Sequence, residues 1–296
     1  VREDGDAKGA KMKLELRGIL LALPLLLGSG AVKVYAQASA IPSAQLPGTE
    51  NAAAESERGR QLLDSMVAAL GGPLWLNRQD MVLNGRIATF YKGQPHEGAP
   101  GFEQYTRFSP FAERIILVAH FGVFIATDHR DVAELYTPTA GYEITFKGSK
   151  PLPAKEVQDF TRRYQHSLET VVHEWLGQPG VVITYEGSDM VERRLADRIS
   201  IMNAHDEAVV LALDENTHLP LSLSFQWHDP VYHDINTDVE EFEDYHLVQG
   251  IETPYTITLL HNGDMTGQRF MTKVAYNTTL APDLFDPNRP LEKKAK

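Results

Sequence analysis

The chain has no cysteine among its 296 residues. That absence excludes disulfide staples, zinc ribbons, iron–sulfur ligation, thiol catalysis and the acylated cysteine of a bacterial lipoprotein. Basic residues are few beside acidic ones, 28 against 40, for a formal net charge of −12. Phosphate backbones and anionic membrane surfaces call for clustered Lys and Arg, so the balance argues against nucleic acid as a partner. No apolar run reaches the roughly twenty residues of a membrane span. The familiar enzyme fingerprints are missing as well: there is no Gly-x-Ser-x-Gly elbow, P-loop or Gly-x-Gly-x-x-Gly. His173-Glu174 begins like a zincin helix, but Gly177 stands where the second His is needed. What remains is a chain that is 43% hydrophobic and 23% charged, long enough for a full core.

The first residues read as an address. Lys13 and Arg17 precede the apolar stretch Gly18 to Leu27, which Pro24 interrupts, and Ala36-Gln37-Ala38 supplies a small-x-small cleavage pattern. This predicts a signal peptide cleaved near Ala38 and an exported, thiol-free, acidic protein. Residues 1–38 are thus expected to be leader and signal peptide, and 39–54, rich in Ala, Pro and Ser, a linker. A single domain over 55–290 and a basic tail over 291–296 complete the expected organisation.

Leu62, Leu63, Met66, Val67 and Leu70 recur at helical spacing and stop at Gly71-Gly72-Pro73. From Met81 the period changes to two. Met81 to Phe90, Phe102 to Phe108, Glu113 to Thr127 and Leu135 to Phe146 are strand candidates. A second helix is predicted over Val157 to Leu176, and strands resume from Val181 to Tyr276, with Asn262-Gly263 marking a hairpin turn. The pattern predicts an antiparallel α+β fold of about ten or eleven strands, curved because one face is apolar and must be filled.

Two local features bear on chemistry. His228-Asp229 and His233-Asp234, followed by Asn236 and Asp238, combine imidazole and carboxylate as a divalent metal would require. The calcium-loop pattern breaks at Val239 and Tyr245, and the composition reads equally as a polar hairpin loop. Between Arg198 and Arg269 there is no Lys or Arg, while thirteen Asp or Glu and six His fall there. Such a segment is expected to form an acidic face, either a solvated sheet surface or a dock for a basic partner.

The C-terminal third carries a recognisable order: Asp214 to Pro220 (DENTHLP), Phe242-Glu243-Asp244-Tyr245, Gly250 to Pro254, Asn262-Gly263 and Leu284-Phe285-Asp286-Pro287, preceded by the segment Gly187 to Ile201. This order resembles the outer-membrane lipoprotein-sorting (LolA-like) family. The resemblance implies an unclosed β-barrel wrapped on helices and, in the best-understood relatives, a periplasmic cavity that shields lipoprotein acyl chains. It supplies no catalytic residue, and without cysteine this chain is not the acylated receptor of such a system.

The resulting expectation is a periplasmic carrier or binding protein, not an enzyme and with no cofactor, that shelters a lipid or the acyl chain of a lipoprotein. The predicted cavity residues are Leu117, Phe121, Val123, Leu211, Leu213, Leu221, Leu223, Phe225 and Trp227 on the strands, with Phe160, Leu168, Val172 and Trp175 on the second helix as a lid. A basic membrane-associated protein is the second expected partner. The alternatives are an interaction or sensor module that docks through its acidic face, and a metal-dependent hydrolase built on His228, Asp229, His233 and Asp234.

Overall fold

Alanine and straight-chain residues dominate Thr49–Leu70, so the segment forms helix α1, and it begins inside the stretch expected as linker. It ends where Gly71 adopts a φ of 126°. The computed structural model describes residues 49–91, 93–96, 99–121, 127–191 and 193–291. The expected leader, with its cleavage point near Ala38, lies outside the described residues, as does all of the tail except Leu291. No described helix is long and apolar enough to cross a membrane.

After a short helix α2 (Pro73–Leu76), seven strands follow: β1 Asp80–Tyr91, β2 Gln94–His96, β3 Gly101–Arg107, β4 Ala112–Phe121, β5 Thr127–Tyr136, β6 Gly141–Thr145 and β7 Gly148–Pro151. Helix α3 (Ala154–Gln165) and a second helical piece, α4 (Leu168–Thr170) continued by a π turn over Val171–Trp175, lead to β8 Val182–Val191. The remaining strands are β9 Arg194–Met202, β10 Ala208–Asp214, β11 Pro220–His228, β12 Ile235–Val248, β13 Ile251–His261 and β14 Asp264–Tyr276.

All fourteen strands join one antiparallel sheet in the order β7-β6-β5-β4-β3-β1-β14-β13-β12-β11-β10-β9-β8, with β2 paired to β1. The count exceeds the expected ten or eleven. One cause is that the run Leu135 to Phe146 is two strands, β5 and β6, separated by a turn in which Thr137 and Ala140 bond each other. The sheet is two meanders joined where β14 returns to pair with β1. The helical segment 154–175 connects the two open edges, β7 and β8.

One core cluster explains the curvature. Leu62, Leu63, Met66 and Leu70 of α1 share it with residues of β1, β3 and every strand from β8 to β14. Nine strands laid flat would span roughly 40 Å at about 4.8 Å each, several times the diameter of a helix. They reach one helix only by curling round it. Gly59 lets the helix come close to β8, because a Cβ there would lie 2.8 Å from Cγ2 of Ile183.

The opposite face of β4, β5 and β6 is covered differently. Ala112, Ile116, Ala133, Leu135 and Ile144 pack under Phe285, with Leu280, Leu284 and Leu291 alongside. The C-terminal segment is therefore a strap across the outer face. Asp80 holds its start, accepting from the backbone N–H of Thr278 at 2.7 Å and of Thr279 at 3.1 Å.

The second helix is broken rather than continuous. Ser167 donates its hydroxyl to Tyr164 O at 2.8 Å and accepts from the N–H of Thr170 at 3.3 Å, which ends α3 and caps α4. Helical periodicity across the break is retained by both pieces, so the interruption left no mark on the hydrophobic pattern.

Candidate functional site: the inner face beneath the helical segment

Strand parity identifies the side chains on the curved inner face. Leu83 and Phe102 belong to the helix-packed core. Leu83 pairs with Gln104, which pairs with Ile115, which pairs with Glu134. In the same way Gly85, Phe102, Leu117 and Val132 form one row across β1, β3, β4 and β5, and Met81, Thr106, Glu113 and Tyr136 another. Met271 places Arg269, two residues away on β14, on this face, opposite Ile87 and Ile257. Phe242 does the same for Glu240 and Asp238 on β12. The acidic segment is thus not one face, as expected: pleating turns Asp238 and Glu240 inward and Glu241 and Glu243 outward.

The inner face has an apolar part and a polar part. In the apolar part Leu211 and Leu213 are 0% exposed, and Leu223, Phe225 and Trp175 are nearly so, all packed with α1. Leu168 and Val172 pack against this cluster while keeping some surface accessible, as do Ile87, Ile115 and Ile257. Leu117 is half-buried beside Phe102. Leu221 leaves the group: a register shift between Ala212 and Leu213 seats it with Ala196 and Ala212 in a separate cluster. Phe121 ends β4, and Val123 lies outside the described residues.

In the polar part, Glu113 accepts from Gln104 Nε2 at 2.8 Å and from Thr106 Oγ1 at 3.3 Å, while Gln104 Oε1 accepts from Arg269 Nη1 at 3.4 Å. Tyr136 donates to Glu134 at 2.9 Å. Burial pushes the carboxyls of Glu113, Glu134 and Glu240 above the usual range, and the positive charge of Arg269 only partly offsets it. All three nevertheless keep part of their surface accessible. These carboxyls are therefore partly buried side chains of the inner face. These residues were missed in the sequence because a lone Glu in a strand does not declare which face it occupies until pairing is known; only Glu240, in phase with Phe242, carried a usable signal.

Helix α3 lies over this polar part. The Phe160 ring stacks on Tyr136 at 4.0 Å between centroids and lies 6.1 Å from Phe111. Arg162 sits over Trp227, and the Trp227 indole donates to Asp238 at 3.1 Å. His261 Nδ1 lies 2.7 Å from the other Asp238 oxygen. Further along, Arg78 is buried between Trp75 and Phe108 and donates to Glu169, which also meets His173 at 3.0 Å. The predicted lid residues Phe160, Leu168, Val172 and Trp175 are thus brought onto one face with Leu117, Leu211, Leu213, Leu223, Phe225 and Trp227.

The proposed metal cluster is not assembled. Asp229 spends its carboxylate on the N–H groups of Val231 and Tyr232, and the rings of His228 and His233 lie 6.0 Å apart, edge to face. Among the described residues no group of three or more His, Asp or Glu could hold a metal ion. Turn geometry accounts for Asp229 in this loop.

No protein-family model and no curated protein matches the chain. Solved structures do. A DUF1329 family protein from Desulfovibrio piger is 12% identical, with a TM-score of 0.50 over 78% of this chain and 97% of that one. A putative outer membrane lipoprotein-sorting protein domain from Vibrio parahaemolyticus is 13% identical, with a TM-score of 0.47 over 79% and 98%. A LolA superfamily protein from Nitrosomonas europaea is 10% identical, with a TM-score of 0.47 over 77% and 96%. At such identity the likeness is one of fold: this chain has the unclosed, curved antiparallel sheet with helices that is similar to the Desulfovibrio piger structure.

Proposed function

We propose that this chain is an exported, periplasmic carrier or binding protein that shelters an acyl chain of a lipid or lipoprotein on the inner face beneath the helical segment 154–175, without catalysing a reaction. The observation that supports this reading is the set of apolar side chains, Leu117, Ile115, Ile87, Ile257, Leu168 and Val172, that keep accessible surface on a face where their neighbours are fully packed. Each methylene transferred there from water contributes about 0.8 kcal/mol. The adjoining layer of Gln104, Thr106, Glu113 and Arg269 borders the apolar row and receives the polar end of the guest. The resemblance of the C-terminal motifs to the lipoprotein-sorting family agrees with the same ligand class.

Mass spectrometry of organic extracts from the purified protein tests the proposal, together with titration of a fluorescent fatty acid. Bound lipid and a saturable response, weakened at least tenfold by Leu117→Arg, are expected. A protein that carries no lipid and ignores the probe overturns it.

A second reading is an interaction module whose concavity is filled by its own helix; the complete burial of Leu211 and Leu213 beneath α1 favours it. Its partner would be a basic protein meeting the outward carboxylates of β12, such as Glu243 and Asp244. Capture that disappears at high salt marks this reading, because screening removes surface attraction and leaves apolar capture intact.

A further inference from the structure

The hairpin between β11 and β12 contains the His228 to Asp234 motif that metal chemistry leaves unexplained. Its tip and the first residue of β12 hold three exposed apolar residues: Val231 at 73%, Tyr232 at 62% and Ile235 at 67% relative exposure. The tip is not slack. Asp229 Oδ1 accepts from the N–H of Val231 at 2.7 Å and of Tyr232 at 2.9 Å, Asp229 N donates to Asp234 O at 2.9 Å, and His233 N donates to Asp229 O at 2.9 Å. His233 takes a φ of 59° to close the turn. Four bonds made by Asp229, two through its carboxylate and two through its backbone, hold apolar side chains out in water, where their exposure costs free energy that a simple polar turn would avoid.

We infer that this tip is a membrane-contact element that inserts shallowly into the interface of a zwitterionic lipid bilayer. Two features select the bilayer over a protein, and a third selects neutral lipid. A convex tip of three side chains offers a few hundred square ångströms at most, against the roughly 1,200–2,000 Å² of a stable protein interface. A tyrosine next to a valine, with Ile235 three residues on, suits the boundary between headgroups and acyl chains, its ring immersed and its hydroxyl wet. Asp229 and Asp234 at the base of the tip and the net charge of −12 repel anionic surfaces, so attraction must come from apolar insertion and the lipid must be neutral overall. Lys155 and Arg162 of α3 act on Asp229, and Arg162 sits over Trp227, the residue before His228. The tip therefore stands beside the helix that covers the inner face.

The test uses the full chain, expressed with its own leader and recovered after export, in flotation with phosphatidylcholine vesicles. The parent protein is expected to float. Val231→Asp combined with Tyr232→Asp is expected to lower the floated fraction at least tenfold with an unchanged circular dichroism spectrum. Should that pair fail to fold, Val231→Ser with Ile235→Ser replaces it. The indole introduced by Tyr232→Trp is expected to be quenched by phosphatidylcholine brominated high on its acyl chains, and vesicles rich in phosphatidylglycerol are expected to bind less. Equal flotation of parent and variants, an unquenched indole, or self-association through the tip in place of vesicle binding overturns the inference. None of these readouts involves the inner face, so the result is independent of whether a lipid is carried there.

Discussion

The guanidinium of Arg162 lies 3.5 Å from the ring centroid of Trp227, clamping helix α3 onto strand β11. Arg162 also reaches Asp159 at 2.7 Å, and Trp227 is itself anchored by Asp238. The contact ties the helical cover to the half of the sheet built from β8 to β14, as does the stack of His166 on Phe225 at 4.3 Å. Arg162→Ala is expected to cost about 1 kcal/mol, the usual worth of a half-buried cation–π contact. Hydrogen exchange should then accelerate in 154–165 and not in β9 or β10. Uniform acceleration throughout the sheet would show that the contact supports the whole fold instead.

Arg78, just ahead of β1, and Glu169 tie the helical cover to the other half of the chain. Burial pushes the Arg78 guanidinium down from its ordinary value and Glu169 opposes the shift. Glu169→Ala leaves a buried cation without its partner and is expected to cost about 3 kcal/mol in denaturant unfolding. Replacing both by Met should recover most of that loss, since two apolar side chains of similar volume leave no charge to desolvate. A double variant no better than Glu169→Ala alone would contradict this account.

Full packing and partial access predict different consequences for two leucines of the predicted cavity set, Leu211 and Leu117. Leu211 is wholly enclosed, so Leu211→Ala is expected to cost about 2–5 kcal/mol. Leu117→Ala removes atoms that still meet solvent and should cost well under that, while weakening a fatty-acid probe more than Leu211→Ala does in protein that remains folded. Thermal unfolding and probe titration on the two variants separate the roles of core and lining.

The glutamates of the inner face predict a pH dependence opposite to that of an ordinary surface carboxylate. Glu240 has a raised value in the folded state, so the fold binds its proton more tightly than the unfolded chain does. The resulting stabilisation is complete below the ordinary value of 4.5 and is lost as pH rises through the folded value. Glu240→Gln removes the charge that burial penalises. It is expected to raise the melting temperature at pH 8 and to leave it unchanged at pH 4. An increase of the same size at both values would point to packing rather than titration.

Much of the architecture is legible in the sequence. Alternation over Leu221 to Trp227 placed β11, the spacing of Leu62 to Leu70 placed α1, and Asn262-Gly263 placed the β13–β14 turn. The motifs from Asp214 to Pro287 pointed to the unclosed sheet. Leu221 shows where that reading stops, because one register shift moved it to the opposite face while its neighbours in the pattern stayed. Glu113, Glu134 and Arg269 show the same limit from the other side: single polar residues in short strands become a cluster only when strands far apart in the chain are paired.

Periodicity is a local property, and residues a few positions apart were enough to set helix against strand, apolar against polar, and the antiparallel class. Which helix fills the curve, which carboxyls turn inward and which apolar side chains remain partly open depend on partners up to two hundred residues away. Those choices were made by register and burial, because one step along a strand reverses every side chain and only the assembled sheet decides where the steps fall.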